Sequence, residues 1–365
     1  MTELADIFRQ YGSQYLEKFG DKIIPSHRQA IRDLQRCRTE ELGGHVYQCL
    51  KCNEIHYRYH SCRNRHCPKC QNDKAQEWLE KQQELLLPVP FFLFTFTLPA
   101  SLRKIARGNQ TTFYNLLFHS SAAATKKLAS DSRLVGGKIG MMGVLHTWGR
   151  NLTYHPHIHY LVPGGGLALG GKNWLSGGDS FLLPVKALSR VFRAKFRDAL
   201  RKTDFFDVVP NDVWQQEWVV HCKPVGNGSA AMKYLSAYIF RVAISNNRIL
   251  KLADGKVTFR FKDTKTGKNR LCSVSAEEFI RRFLQHVLPR GFVKVRYYGI
   301  FCPSYRSRLA DLRQHLIFVF SDTFLEDRTA NEQTSSLLSN QVLCPVCGQA
   351  MQWLYSIPHK GSRPP

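Results

Sequence analysis

The sequence predicts an α+β fold: an antiparallel sheet flanked by helices, preceded by a small helical region with cysteine knuckles. Three observations carry this expectation. Strand-like runs at 138–163 and around 250–261 are each broken by a short polar turn, the pattern of a hairpin. Helical segments lie between the strands, yet the hairpins require antiparallel pairing and so argue against a doubly wound parallel sheet. The densest cysteine group falls between residues 45 and 72, ahead of every sheet-forming run.

Taken in order, "LADIFRQYGSQYLEKFG" and "PSHRQAIRDLQRC" repeat apolar residues at helical spacing and predict two short helices within residues 3–40. "KAQEWLEKQQELLL" predicts a polar helix stopped by Pro88, which divides a first domain (1–88) from a second (89–320). "FFLFTFTLP" is a strand, 110–129 a helix, and "KIGMMGVLHTWGR" with "PHIHYLVP" a hairpin. The glycine-rich stretch 164–178 reads as a loop leading to the basic helix "PVKALSRVFRAKFRDALRK". "EWVVHCKPV" is a further strand, and Ser229 is a good N-cap for a helix over "SAAMKYLSAYIFRVAI". The Asp-Gly of "LADGKVTFRF" marks another hairpin, followed by a helix at 275–288, a strand "FVKVRYYGIF" and a helix at 304–317. Residues 321–365 form a polar linker and a tail carrying "CPVCG".

Composition narrows the class. Hydrophobic residues make up 43% of the 365, enough for real cores and too many for wholesale disorder. The net charge of +24 is spread along the chain and calls for a polyanionic partner, nucleic acid before an anionic membrane surface. No apolar window of about 18 residues exists to span a bilayer. "MTELADIFRQ" lacks the apolar centre of a secretory signal, so the expected compartment is the cytoplasm. Eleven cysteines in such a chain point to metal ligation before disulfides.

Cys49-x2-Cys52 and Cys67-x2-Cys70 have the spacing of a four-cysteine structural zinc site, each pair of thiolates approaching the ion from a tight turn. Cys62 and His66, with Cys37, His56 and His60 near them, are possible additional ligands or suppliers of a second ion. Arg58, Arg63 and Arg65 stand among tyrosines and histidines, a mixture suited to phosphate contacts and base stacking. Cys344-x2-Cys347 is half of a zinc ribbon, to be completed by distant cysteines or by a partner chain.

The hairpin holds the second group. Side chains alternate along a strand, so His157 and His159 share a face, with Cα atoms about 7 Å apart, and can pinch one divalent ion. His155 has the same parity, but Pro156 marks the strand's start and leaves it at the rim. A turn centred between Asn151 and Leu152 would set His146 opposite His157, as a candidate third ligand. In "KYLSAYIF", Tyr234 and Tyr238 lie four apart on one helical face, which suits either core packing or a pair of phenolic nucleophiles.

These residues resemble a known family. "HIH" at 157–159 followed by "YLSAY" at 234–238 is similar to the two-tyrosine HUH nucleases. More narrowly, "SCRNRHCPKCQ", "HTWGRNLTYHPHIHYLVPGGG", "YLSAYIFRVAISNNRI" and "EFIRRFLQHVLPRGFVKVRYYG" resemble transposases of the insertion sequence ninety-one family. The resemblance implies a transposase that nicks and rejoins single-stranded DNA at the ends of a mobile element, by a rolling-circle-like route. His157 and His159 would hold Mg2+ or Mn2+, and Tyr234 and Tyr238 would each form a 5′-phosphotyrosine link. It also implies an HUH-like sheet with the histidines on a central strand, zinc in the N-terminal region, and a bacterial, nucleoid-associated setting. "GLALGGK" at 166–172 has the spacing of a nucleotide-binding loop, but Asn173 stands where Ser or Thr would hold magnesium, so no ATP is expected. The rival reading is a zinc-containing DNA-binding regulator without catalysis.

Overall fold

The computed structural model describes residues 2–71, 86–171, 173–227, 242–263, 266–319 and 341–360. Helix α1 (Leu4–Phe19) is fastened at its start by the Glu3 amide, which donates to the Asp6 carboxylate at 2.9 Å. Helix α2 (Pro25–Arg36) begins on a proline, whose missing N–H would have no helical partner there anyway. The cysteine-rich segment contributes two strands that the sequence reading did not foresee, β1 (Gly44–Cys49) and β2 (Ile55–Tyr59). Then come β3 (Pro90–Thr97), the short α3 (Arg103–Gly108), α4 (Gln110–Ala129) and the hairpin of β4 (Gly140–Trp148) and β5 (Tyr154–Pro163). The expected loop 164–178 contains a small ribbon, β6 (Gly165–Leu167) with β7 (Trp174–Ser176), in which a Cβ on Gly165 would collide with the Leu175 carbonyl and the Trp174 ring.

Helix α5 (Val185–Leu200) and strand β8 (Val220–Asn227) follow. Most of the helix expected before Pro88, and residues 229–241 of the helix expected over Ser229–Ile244, lie outside the described residues. Strands β9 (Ile249–Ala253) and β10 (Lys256–Lys262) form the Asp-Gly hairpin, with Asp254 and Gly255 both at positive φ as a primed turn requires. An unanticipated third strand, β11 (Asn269–Ser275), pairs with β10 before α6 (Ala276–Leu284), where Ser275 Oγ caps the Glu278 amide at 3.2 Å. Strand β12 (Val295–Gly299), α7 (Arg306–Val319) and β13 (Met351–Ile357) complete the order. Among the described residues no helix is long and apolar enough to cross a membrane.

The central sheet has the order β12-β4-β5-β3-β8, every neighbour antiparallel. One face is apolar along its length. Phe92, Phe94 and Phe96 of β3 and Ile158, Tyr160 and Val162 of β5 pack there against Phe113, Leu117, Phe192 and Phe196 of α4 and α5. Tyr160 needs Gly143 opposite it, since a Cβ at that position would collide with its ring. The other face is divided. Phe91, Met142, Val144 and Leu161 at one end pack under Leu309, Leu312 and Leu316 of α7, while Thr95, Thr97, His146, His157 and His159 occupy the other end.

A second core joins regions far apart in sequence. Leu4, Ile7, Phe8, Ile31 and Leu34 from the first two helices pack with Ile244, Phe259, Phe279 and Phe283. Leu152, at the tip of the β4–β5 turn, is fully buried in this core. The core therefore crosses the division expected at residue 88. A third unit, β13-β1-β2, joins the cysteine-rich segment to the residues after 341.

His286 seals the contact between the two cores. Its Nε2 donates to the Leu152 carbonyl at 3.2 Å, and its Nδ1 lies 3.3 Å from Thr147 Oγ1. Burial lowers its pKa from 6.5 to about 4. The unfolded chain binds a proton near pH 6.5 that the folded one refuses, so the stabilisation is complete above pH 6.5 and is lost as pH falls toward 4. Thermal melts should show a drop between pH 7 and pH 5 to which this site contributes about 2 kcal/mol, and a shallower drop in His286→Gln.

Candidate active site and cysteine centres

The β4–β5 register sets His146 directly opposite His157, as the turn position predicts. His159 lies two residues along β5 on the same face, opposite Val144 on one side and Thr95 on the other. The three rings converge: centroids are 5.5 Å apart for His146 and His157, 5.1 Å for His146 and His159, and 4.8 Å for His157 and His159. One nitrogen from each lies within 4.8 Å of the others, the arrangement of three ligands around one ion. His146 and His159 are buried and His157 is partly exposed, so the group opens on one side.

Hydrogen bonds orient the rings. His157 Nδ1–H donates to the His155 carbonyl at 2.6 Å, and His159 Nδ1 lies 2.9 Å from Thr95 Oγ1. With its Nδ1–H donating to a carbonyl, His157 carries its lone pair on Nε2, the nitrogen it can offer to an ion. Trp148 stacks on His146 at 4.7 Å and closes the inner side. His155 stands outside the group, its pKa lowered to about 4 by burial and by the positive charge of Arg103. An all-imidazole donor set suits Mn2+ or another transition ion, and suits Mg2+ poorly because Mg2+ prefers oxygen.

Two further polar residues that sequence reasoning missed, His221 and Lys223, share this face. β8 pairs Thr95 with His221 and Leu93 with Lys223, and directly paired residues project to the same side. The signal was present: Thr95 and Thr97 interrupt an otherwise apolar strand with the parity of His157 and His159, and His221 and Lys223 repeat it on the next strand. Tyr234 and Tyr238 lie outside the described residues, in the segment that follows β8 directly.

The cysteines are grouped differently from the expected Cys49, Cys52, Cys67 and Cys70 set. The two pairs separate. Cys67 and Cys70 gather with Cys37 and Cys62, while Cys49 and Cys52 gather with Cys344 and Cys347. The reason is topological: β1 and β2 carry the first knuckle away from the α2 end, and only the second knuckle folds back onto it. In the first group the sulfur separations are 3.6 Å for Cys37 and Cys67, 3.7 Å for Cys37 and Cys70, and 3.6 Å for Cys62 and Cys70. A tetrahedron of zinc–sulfur bonds near 2.3 Å requires about 3.8 Å, so this group fits Zn2+ closely. Hydrogen bonding with the Cys62 and Cys67 thiols draws Cys37 down to about 7, toward the ligating thiolate.

His66 belongs to neither group; its Nε2 accepts from the Leu288 amide at 3.3 Å. His56 and His60 are likewise in neither ligand group among the described residues. Arg65, expected to meet phosphate, instead donates to the carbonyls of Phe292 and Pro289 at 2.6 and 2.8 Å and fastens the cysteine loop to the segment between α6 and β12.

Comparison with known proteins agrees with this architecture. Residues 7–98 match a family model described as "Transposase zinc-binding domain", and residues 140–308 match one described as "Putative transposase". The chain is 40% identical over 335 residues to "Putative transposase y4qJ" of Sinorhizobium fredii, across 86% of this chain and 84% of that one. It is 26% identical over 290 residues to "Transposase for insertion sequence element IS801" of Pseudomonas savastanoi pv. phaseolicola, across 74% and 69%. The class is thus a DNA transposase, an enzyme acting on DNA, with structural zinc in an N-terminal domain. Within that class, the chain belongs to the IS91 family of transposases.

Thr95 tests the histidine geometry without replacing any of the three histidines. Thr95→Val removes the partner of His159 Nδ1 and should weaken Mn2+ binding roughly 10-fold or more, read by titration calorimetry, with the thermal melt unchanged.

Proposed function

We propose that this transposase is an HUH nuclease that cuts and rejoins single-stranded DNA through 5′-phosphotyrosine intermediates, in a rolling-circle-like route. The observation that carries the proposal is the convergence of His146 of β4 with His157 and His159 of β5 on one face of the central sheet, one side left open. His157 and His159, with His146 as third ligand, would hold Mn2+ or, less suitably, Mg2+. Such an ion polarises a bridging phosphate and offsets its charge.

Tyr234 and Tyr238 are the proposed nucleophiles. Support for them is positional: they follow β8, which borders β3 in the histidine sheet and turns His221 and Lys223 toward the same face. A tyrosine phenolic oxygen attacks phosphorus, its proton passes to solvent or a nearby base, and the 3′-oxygen departs as a free hydroxyl. The 5′-phosphate then stays on tyrosine until a 3′-hydroxyl attacks it and releases the phenol. Each step exchanges one phosphoester for another, so the bond energy is conserved and no nucleotide need be hydrolysed. Two tyrosines let one site hold a cleaved strand while cutting a second. His221 and Lys223 would steady the strand's phosphates, and the +24 net charge favours polyanion binding overall.

Labelled single-stranded DNA from candidate element ends, incubated with the protein and Mn2+, should yield an SDS-resistant protein–DNA adduct. EDTA should abolish it, Tyr234→Phe with Tyr238→Phe should abolish it, and His157→Ala should slow it by roughly 100-fold or more. An adduct that persists in the double Phe variant would sink the assignment of these tyrosines. Tight binding with no adduct on any end would favour a regulator.

A further inference from the structure

The zinc-binding match ends at residue 98, and Cys344 and Cys347 lie far beyond it. Yet these two cysteines stand against Cys49 and Cys52, with the four sulfurs within 4.8 Å of one another. Cys49 and Cys347 are 3.4 Å apart and Cys52 and Cys344 3.5 Å, although the pairs are separated by 298 and 292 residues. These distances are far beyond a disulfide and close to the tetrahedral edge of a zinc tetrathiolate.

The backbone shows that the two halves are the same device built twice. In the first knuckle the Cys49 amide donates to the Glu54 carbonyl at 2.9 Å, and the Asn53 amide donates back to the Cys49 carbonyl at 2.9 Å. In the second, the Cys344 amide donates to the Gln349 carbonyl at 2.8 Å, and the Gly348 amide donates back to the Cys344 carbonyl at 2.9 Å. The residue after the second cysteine is left-handed in both, Asn53 at φ 57° and Gly348 at φ 73°. Asn and Gly are the residues that take this conformation at least cost, so the sequence is adapted to it at both positions. The amides of Lys51 and Cys52 donate to the Cys49 sulfur, an arrangement that favours the thiolate.

The strands bring the knuckles face to face. β1 leads into the first and β2 leaves it; the Leu343–Ala350 bridge flanks the second, and β13 leaves it to pair antiparallel with β1. Cys49, Cys344 and Met351 are buried together, with Tyr47, Val342 and Cys347 packed on them. We propose that Cys49, Cys52, Cys344 and Cys347 bind one Zn2+ as a composite site, separate from the Cys37 group, that fastens residues 341–360 to the N-terminal zinc-binding domain. An all-thiolate tetrahedral set selects Zn2+ over harder divalent ions.

The test counts zinc released from the full chain by a thiol-blocking mercurial, which reports only sulfur-bound metal. The expected result is two zinc ions per chain, one in Cys344→Ser/Cys347→Ser, one in Cys49→Ser/Cys52→Ser, and still one when all four substitutions are combined. That non-additivity is the signature of a shared site. Loss of one ion by each pair and two by the combination would overturn the proposal, as would full retention of zinc in the Cys344→Ser/Cys347→Ser variant. Limited proteolysis gives a second readout: cleavage within 341–360 should rise in Cys49→Ser/Cys52→Ser, which leaves the tail sequence intact. Unchanged protection there would also overturn it.

Discussion

The antiparallel register of β4 on β5 is the constraint on which the rest depends. It sets His146 against His157 and puts Leu145 and Ile158 on the opposite face. Because side chains alternate with period two, a slip of β5 by one residue would drive His157 and His159 into the apolar layer of Phe96, Phe113 and Phe192 and turn Ile158 and Tyr160 out of it. The turn guards against this. The Gly149 amide donates to Thr153, Asn151 Oδ1 accepts from Thr153 Oγ1 at 2.8 Å, and Leu152 adopts φ 64°. Left-handed backbone costs a leucine about 1–2 kcal/mol. Burial of its side chain among Trp148 and the second core is of similar size, roughly 1.5–3 kcal/mol, and offsets that cost.

One sheet thus serves two demands that pull in opposite directions. Its apolar face supplies the packing that makes the strands rigid. Its other face gathers three imidazoles, two of them buried, with one nitrogen of each converging on the others. The polar end of that face is made by a few residues of β4, β5, β3 and β8, while α7 packs over the apolar end. Rigidity from one side is what lets the other side keep three rings oriented before any ion arrives.

Much of this was legible in the chain because it rests on local periodicity. The hairpins, the basic helix and the parity of His157 and His159 follow from alternation, and the His146 pairing followed once the turn was placed. The cysteine grouping was not legible, since spacing constrains which sulfurs share a turn but not which turns meet. Two CxxC knuckles 14 residues apart fit a single site on spacing alone, and the hairpin of β1 and β2 sends them to different ones. The short strands β1, β2 and β13 escaped notice for the same reason: each is stabilised by a partner distant in sequence or by sulfur chemistry, with little apolar pattern of its own. Arg65 read as a phosphate contact because its commitment to the carbonyls of Pro289 and Phe292 is a tertiary fact.

The second core carries a consequence for how such a gene can decay. Phe8, Ile31 and Leu34 of the first helices cover Phe259, Phe279 and Phe283, and Leu152 of the histidine hairpin is buried with them. A copy of the gene that lost its opening codons would therefore encode more than a transposase without its zinc-binding domain. It would uncover aromatic surface beneath the histidine hairpin and remove the wall against which the turn at Leu152 is set. Such remnants should be misfolded proteins cleared by proteolysis rather than shortened active transposases, so damage to the front of the gene silences what its centre encodes.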